Sequence, residues 1–396
     1  MTALRKVTYL LLAMSAIILL PWFGAMVLHG GLLPDTYFKY PPLAPIEKEP
    51  FNIYVFSFFA FCCIAIVAVY VFPQLFGFKK LPNIVRKPIK KVKFPLWFWI
   101  GLVCWGVTLF MLWTKSQAII PFLHWSDLPL FWGFVLVIDG WVYVRNGGKS
   151  LISEVPQEVV GIGLASIAGW MIFEYLNFFI DDNWYYPKGD IIDREQFLMY
   201  ALIISSGLLT LAFIWYSFFQ TFPNFSQRYS NGPKIILSET IKNILIVLSL
   251  IALFLTGIFP DFFFFTLWLS PPLLLVLVLD KMDIWSPFRS IGQGNWSPVL
   301  LFALTYLLQG FILECQNYYS GFHLAGKVTF TEEPAYWQYS LPFVDILHVF
   351  EMPLLGFFGY LPFGIYCWVW WISCATLIGI PSKFYTEKPI EPNTEN

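Results

Sequence analysis

The stretch Phe197–Phe219, FLMYALIISSGLLTLAFIWYSFF, runs for 23 residues without a charge. A helix needs about 20 mostly apolar residues to cross a bilayer, because in hydrocarbon the backbone must satisfy its own hydrogen bonds. Nine further stretches have the same character: Val7–His29, Ile53–Leu75, Leu96–Trp113, Leu128–Val144, Gln157–Ile180, Ile241–Ile258, Phe262–Leu279, Ser297–Tyr318 and Pro353–Ser373. The sequence therefore reads as an all-α integral membrane protein with about ten transmembrane helices. Pro271-Pro272 inside one stretch predicts a kink or a break there. Composition agrees, since 58% of the 396 residues are hydrophobic and only 12% are charged. A soluble domain carries about twice that charged fraction. An ordinary soluble enzyme and a disordered chain are excluded, and a net charge of −1 leaves no footprint for a nucleic acid.

The charges between stretches test the count. Eighteen of the 24 Lys and Arg fall on one side: Arg5, Lys6, the run from Lys79 to Lys93, Arg145, Lys149, Arg228, Lys234, Lys242, Lys281, Arg289, Lys383 and Lys388. Only Lys39, Lys48, Lys115, Lys188, Arg194 and Lys327 fall on the other. Basic residues concentrate on the cytoplasmic side, so both termini are expected there. The first stretch exceeds the length of a signal-peptide core and reads as a retained anchor. The Lys79–Lys93 segment reads as an orientation signal, with attraction to anionic lipid as the alternative. The six cysteines all lie inside apolar stretches without a Cys-x-x-Cys pair, which makes them packing residues.

Two parts of the chain repeat one another. The first holds Asp139-x-Trp141-x3-Arg145-x2-Gly148, Glu174-x2-Asn177, Trp184-x-Tyr186 and Pro187-x2-Asp190. The second holds Asp283-x-Trp285-x3-Arg289-x2-Gly292, Glu314-x2-Asn317, Trp337-x-Tyr339 and Pro342-x2-Asp345. Both copies enter the membrane in the same direction, which predicts two parallel four-helix repeats related by an axis along the membrane normal. The expected units are a two-helix addition with a basic linker (1–94), the two repeats (95–235 and 236–380) and a cytoplasmic tail (381–396).

Glu174 and Glu314 stand out as acids within apolar stretches, each sharing a helix face with an Asn three residues on. Intramembrane acids usually face a bundle interior or a wet cavity. Each Glu–Asn pair could bind a polar head group, hold a proton or ligate a cation; the competing reading is a neutral Glu donating to Asn between the repeats. Asp139 with Arg145, and Asp283 with Arg289, read as interfacial ion pairs beside Trp141 and Trp285. The four histidines fall on the outer side, and His348-x2-Glu351, with Glu314 and His323 as partners, is a candidate metal set through His348 and His323. The segment Phe350–Gly364, FEMPLLGFFGYLPFG, places Glu351 before Pro353 at an expected helix start. Gly356, Gly359 and Pro362 then interrupt the helix, which predicts a cavity beside it, bordered by Glu314, Trp337, Tyr339 and Glu351.

This segment, with Trp337-x-Tyr339-x2-Pro342 upstream, resembles a signature of polytopic bacterial membrane proteins without an established activity. The resemblance covers about the last hundred residues, and the first repeat only at Glu174, Asn177, Trp184 and Tyr186; it implies a bacterial inner membrane location. The order of Trp-x-Tyr, loop and acid also faintly resembles membrane lycopene-cyclase domains, which carry Pro-x-Glu-Glu where this chain has Glu351-Met352-Pro353. The functional expectation is a lipid-like or isoprenoid-like ligand bound between the two halves near the outer leaflet. Glu314 and Glu351 are its candidate acid/base residues, and Glu174, Asn177, Asn317, Trp337 and Tyr339 its candidate binding residues. The alternatives are a proton- or cation-coupled transporter using Glu174 and Glu314, and a structural subunit among other membrane proteins. No nucleotide-binding motif is present, and the cofactor is left open.

Overall fold

The computed structural model describes residues 2–80, 82, 84, 89–116, 118–324 and 327–385. Arg86, Lys87 and Lys388, and with them part of the basic linker and most of the expected tail, lie outside the described residues. The chain is mostly helical, and among the described residues nine helical segments are long and apolar enough to cross a membrane.

Helices α1 (Ala3–Leu28) and α2 (Ile53–Val71) come first. There follow α3 (Leu96–Trp113), α4 (Asp127–Arg145), α5 (Pro156–Asn177), and α6 (Arg194–Ile204) running through a 3₁₀ turn into α7 (Leu208–Gln220). The second set is α8 (Glu239–Ile258), α9 (Thr266–Lys281), α10 (Ser297–Ser320) and α11 (Tyr360–Ile378). Starts are marked as the side chains dictate. Asn52 accepts from the amides of Tyr54 and Val55 at α2, Ser238 accepts from Ile241 at α8, and α5 and α10 both begin with a proline in the first turn.

The stretch expected at Phe262–Leu279 departs from the sequence reading in two ways. It is split, because Pro260–Phe263 forms a separate helical turn and α9 keeps only 16 residues, about 24 Å of helix. Nor do Pro271 and Pro272 break α9, which continues through both. Together they delete only the bonds to the carbonyls of Leu267 and Trp268 near the helix start. Lys242 at the start of α8 binds Asp280 at the end of α9 (2.6 Å), so the two helices run antiparallel and α9 returns to the level where α8 began.

Packing within the two sets is matched. α3 packs on α4 as α8 does on α9, α4 on α7 as α9 on α11, and α5 on α7 as α10 on α11. Between the sets, α10 packs on α7 and α11 on α5. These cross-contacts carry hydrogen bonds: Trp370 Nε1 donates to the Ala165 carbonyl (2.9 Å), Tyr366 to that of Gly169 (3.1 Å) and Tyr306 to that of Leu208 (2.6 Å). The α11 residues Tyr366, Trp368 and Trp371 are fully buried at the centre.

Outside this bundle, α1 lies along α8 at a very close approach. A Cβ on Gly24 would meet the Phe254 carbonyl oxygen at 2.1 Å, and one on Gly257 would meet that of Pro21 at 2.1 Å. Small residues permit such backbone contact between membrane helices. Gly257→Leu is expected to lever α1 off α8 and cost about 1–3 kcal/mol, read as a lower Tm in detergent. In contrast, α2 touches the rest sparingly. It buries only Cys63, and it meets the 3₁₀ segment Leu354–Gly359 that leads into α11.

The two ends of the bundle differ. One gathers basic side chains: Arg145 on Thr221, Lys242 on Asp280, Arg289 on Asp280 and Asp283, and Lys383 on Glu154. The other carries three two-stranded sheets: β1 (Trp184–Tyr185) with β4 (Gln338–Tyr339), β2 (Phe322–Leu324) with β3 (Lys327–Phe330), and β5 (His348–Val349) with β6 (Met352–Pro353).

Candidate functional site

The site is built where β1 and β4 meet. They pair antiparallel, with Trp184 opposite Tyr339 and Tyr185 opposite Gln338. Each strand is fastened to the helix that precedes it by an Asn. Asn177 Nδ2 donates to the Trp184 carbonyl at 2.8 Å, and Asn317 Nδ2 to the Trp337 carbonyl at 2.8 Å. The Trp amides donate back to the Asn oxygens, at 3.5 and 3.0 Å respectively. With the strand held, its side chains reach the acid one turn earlier. Glu174 accepts from the Trp184 indole (3.4 Å) and Tyr186 (2.5 Å), and Glu314 from the Trp337 indole (3.2 Å) and Tyr339 (2.6 Å). The expected Glu-to-Asn bond between repeats is therefore replaced. Asn binds strand backbone, Glu binds strand side chains, and both bonds stay within one motif.

The two acids differ in one respect. Both oxygens of Glu174 accept from Trp184. In Glu314 a third donor, Tyr360 from the first turn of α11, joins the others on Oε1 at 2.6 Å, and Oε2 is buried without a partner among the described residues.

Beneath these strands lies an apolar cavity of about 520 Å³. Trp184, Tyr186, Trp337, Tyr339 and Tyr360 form its roof, so the donors that face Glu174 and Glu314 present their other surfaces to it. Its walls include Phe59 and Cys63 of α2, Trp170 of α5, Trp268 of α9, Met352, Gly356 and Gly359 of the segment leading into α11, and Pro362 in the first turn of α11. The interrupted helix thus borders a cavity, with Trp337 and Tyr339 in the wall and Glu314 bonded behind it. Asp127 and Asn183 are the polar side chains in the lining whose chemistry is neither aromatic nor thiol.

Glu351 is placed differently from its sequence expectation. It sits in the tight turn of the β5–β6 hairpin rather than at a helix start, since Met352 and Pro353 pair with Val349 and His348 and α11 begins only at Tyr360. Phe350 in that turn has φ +59°. Glu351 accepts from Gln338 Nε2 (2.9 Å) and from Tyr336, and meets His323 Nε2 at 2.8 Å, outside the cavity lining. His348 binds Asp345 (3.0 Å), apart from His323. Among the described residues no group of three His, Cys, Asp or Glu is placed to hold a metal, so His323 and His348 do not combine into a centre.

Asp139 and Arg145 are not an ion pair. Six residues at about 100° each turn them about 120° apart around α4 and separate them by about 9 Å along its axis. Asp139 accepts from Trp97 Nε1 (3.0 Å), Ser150 (2.7 Å) and the Ile152 amide (3.1 Å), while Arg145 stacks on Phe222. Arg289 and Asp283 do pair, at 2.6 Å, because Asp283 lies beyond the end of α9 and is free to turn towards it. Trp285, expected in the interfacial belt, packs inward on Trp368. All six cysteines are free thiols.

Three contributors escaped the sequence reading. Tyr360 is one. The others are Asp127, which opens α4 one residue before the apolar stretch, and Glu333 in the loop before β4. Their carboxyls adjoin one another, both residues are buried, and Tyr200 donates to Asp127 Oδ2 at 2.8 Å. The Glu332-Glu333 doublet in an otherwise acid-poor outer loop was the available signal.

A charged cluster sits beside the strands. Lys48 Nζ donates to the carbonyls of Ile180 (2.7 Å) and Asp181 (2.5 Å), and burial pushes its ammonium down to about 8. Burial pushes the Asp182 carboxyl up to about 7. The folded chain then binds more protons than the unfolded one between the ordinary value of 3.8 and about 7. The contribution of Asp182 to stability is present at low pH and lost as pH rises through 7. Asp182→Asn, which suits the local φ of +50°, is expected to flatten the fall of Tm between about pH 4 and 7 in a detergent melt series.

No family model, curated protein or solved structure matches this chain.

Proposed function

We propose that this chain is a multi-pass protein of a bacterial inner membrane, with both termini cytoplasmic. In this reading it binds or converts a lipid-like or isoprenoid-like ligand in the cavity between two pseudo-symmetric halves, near the outer leaflet. Supporting the two halves are the matched helix contacts and the shared Asn-to-strand and Tyr-to-Glu bonds at each motif. A two-fold axis along the membrane normal, passing by Tyr185 and Gln338, would relate the motifs, and β1–β4 pairing brings them face to face. The antiparallel course of α8 and α9 supports a tenth crossing by α9, which keeps both termini on one side.

The observation that carries the functional reading is the position of Glu314. It is wholly buried behind an apolar cavity of ligand-binding size, with three donors on one oxygen and the other oxygen unbonded. The bonded oxygen fixes the carboxyl, and the free one can hold or pass a proton as a general acid or base. Glu351, bonded to His323 of β2, Tyr336 of the loop before β4 and Gln338 of β4, takes the role of a positioning residue for Gln338 and so for β4.

The test is a photoactivatable C16 lipid probe applied to the purified protein, with peptide mapping of the label. Labelling of Phe59, Trp268 or Phe363 supports the reading, and labelling confined to the outer faces of α1, α2 and α3 overturns it. Glu314→Gln is expected to abolish conversion or weaken retention of the ligand at least tenfold with an unchanged Tm; Glu351→Gln should give a smaller loss. For orientation, a reporter fused after residue 396 should be active in the cytoplasm and inactive outside it; the reverse pattern overturns the assignment.

A further inference from the structure

Asn183 lies at the start of β1 and lines the cavity. It is 1% exposed, and neither Oδ1 nor Nδ2 has a hydrogen-bond partner among the described residues. A buried amide left unbonded carries its full desolvation penalty, which folding alone gives no reason to retain. The amide offers a donor and an acceptor side by side, which a hydroxyl matches with one oxygen.

Asp127, in the same lining, adds an electrostatic condition. Neither Asp127 nor Glu333 forms a salt bridge among the described residues, and Tyr200 is the phenol that donates to Asp127. Burial and the adjoining Asp127 hold the Glu333 carboxyl well above the usual range, and the two acids set their oxygens side by side at the edge of the lining. A carboxylate or phosphate brought into the cavity would meet the acid oxygens of Asp127 in an apolar surrounding, with no cation among the described residues of the lining. An ammonium would have to shed its water for one carboxylate already bonded by Tyr200 and Glu333.

We infer that the ligand is a neutral amphiphile of the long-chain alcohol class, its hydroxyl held by Asn183 and screened from anionic competitors by the Asp127–Glu333 pair. The inference rests on the reading of the cavity as a lipid site and names the head group that site selects.

The experiment compares four diazirine-bearing C16 probes that differ only at the head: alcohol, carboxylate, phosphate and amine. The full-length protein in detergent is photolabelled across a concentration series, and cavity peptides are quantified. The alcohol is expected to half-saturate at a concentration at least tenfold below the other three. Asn183→Leu should raise that concentration at least tenfold while the Tm stays the same or increases, because no internal hydrogen bond is lost. Asp127→Asn, which keeps an acceptor for Tyr200, should admit the carboxylate probe to within about threefold of the alcohol. Cavity labelling by the phosphate, carboxylate or amine at equal or lower concentration overturns the head-group assignment and leaves the lipid site standing. So does unchanged alcohol labelling in Asn183→Leu. Absence of cavity labelling by all four probes overturns both.

Discussion

Glu314→Ala is expected to lower the unfolding free energy by about 3 kcal/mol, whereas Glu314→Gln should leave it nearly unchanged. The alanine strips the acceptor from three donors at once, the Trp337 indole and the hydroxyls of Tyr339 and Tyr360. Each lost bond is worth about 1 kcal/mol, and there is no bulk water in the bundle to replace it. Glutamine keeps the carbonyl oxygen in place for all three, and its amide takes the position of Oε2, which bonds nothing. The comparison with Glu174→Gln sharpens this. There the indole of Trp184 reaches both oxygens, so one end of the glutamine must turn a donor towards a donor. Equilibrium unfolding of the three variants in mixed micelles supplies the check. Equal loss in Glu314→Gln and Glu314→Ala would mean that the charge, not the acceptor geometry, organises the roof.

Asn177→Leu and Asn317→Leu should each cost about 3 kcal/mol, and by nearly the same amount. In either case a backbone carbonyl and a backbone amide of the following Trp lose their partner in a buried place, which costs about 1–3 kcal/mol per group. Their equality tests the two motifs as copies of one device. Hydrogen exchange should show the strand amides exposed in each variant while the centre of α11 stays protected. A loss in one variant and none in the other would separate the motifs functionally despite their shared spelling.

The helices were legible because spanning a bilayer imposes a length and an apolarity that composition alone displays. Phe262–Leu279 was misjudged at its start, where Pro260 favours a first helical turn of its own and removes four residues from α9. The Glu, Asn, Trp and Tyr of the site were legible through their repetition, since spacing within a motif is local information. Asp127 and Glu333 were not, because their contact depends on how the loop before β4 folds over the start of α4. Glu351 was misread for a local reason. A proline after an acid suits a helix start, but its backbone is as compatible with a strand, and Pro353 at φ −56°, ψ 138° takes the second option. Likewise Asp139 and Arg145 were paired by proximity in the chain, although helix geometry turns them apart.

The β1–β4 ladder places Trp184 against Tyr339, the donor for one acid beside the donor for the other. It behaves as a single crossbar spanning both halves. A molecule that pushes Tyr339 away from Glu314 has to carry Trp184 with it, and so disturbs Glu174 on the far side. Under the proposed function the two acids would register one occupancy event together, and a probe of the Trp184 indole would report on the surroundings of Glu314.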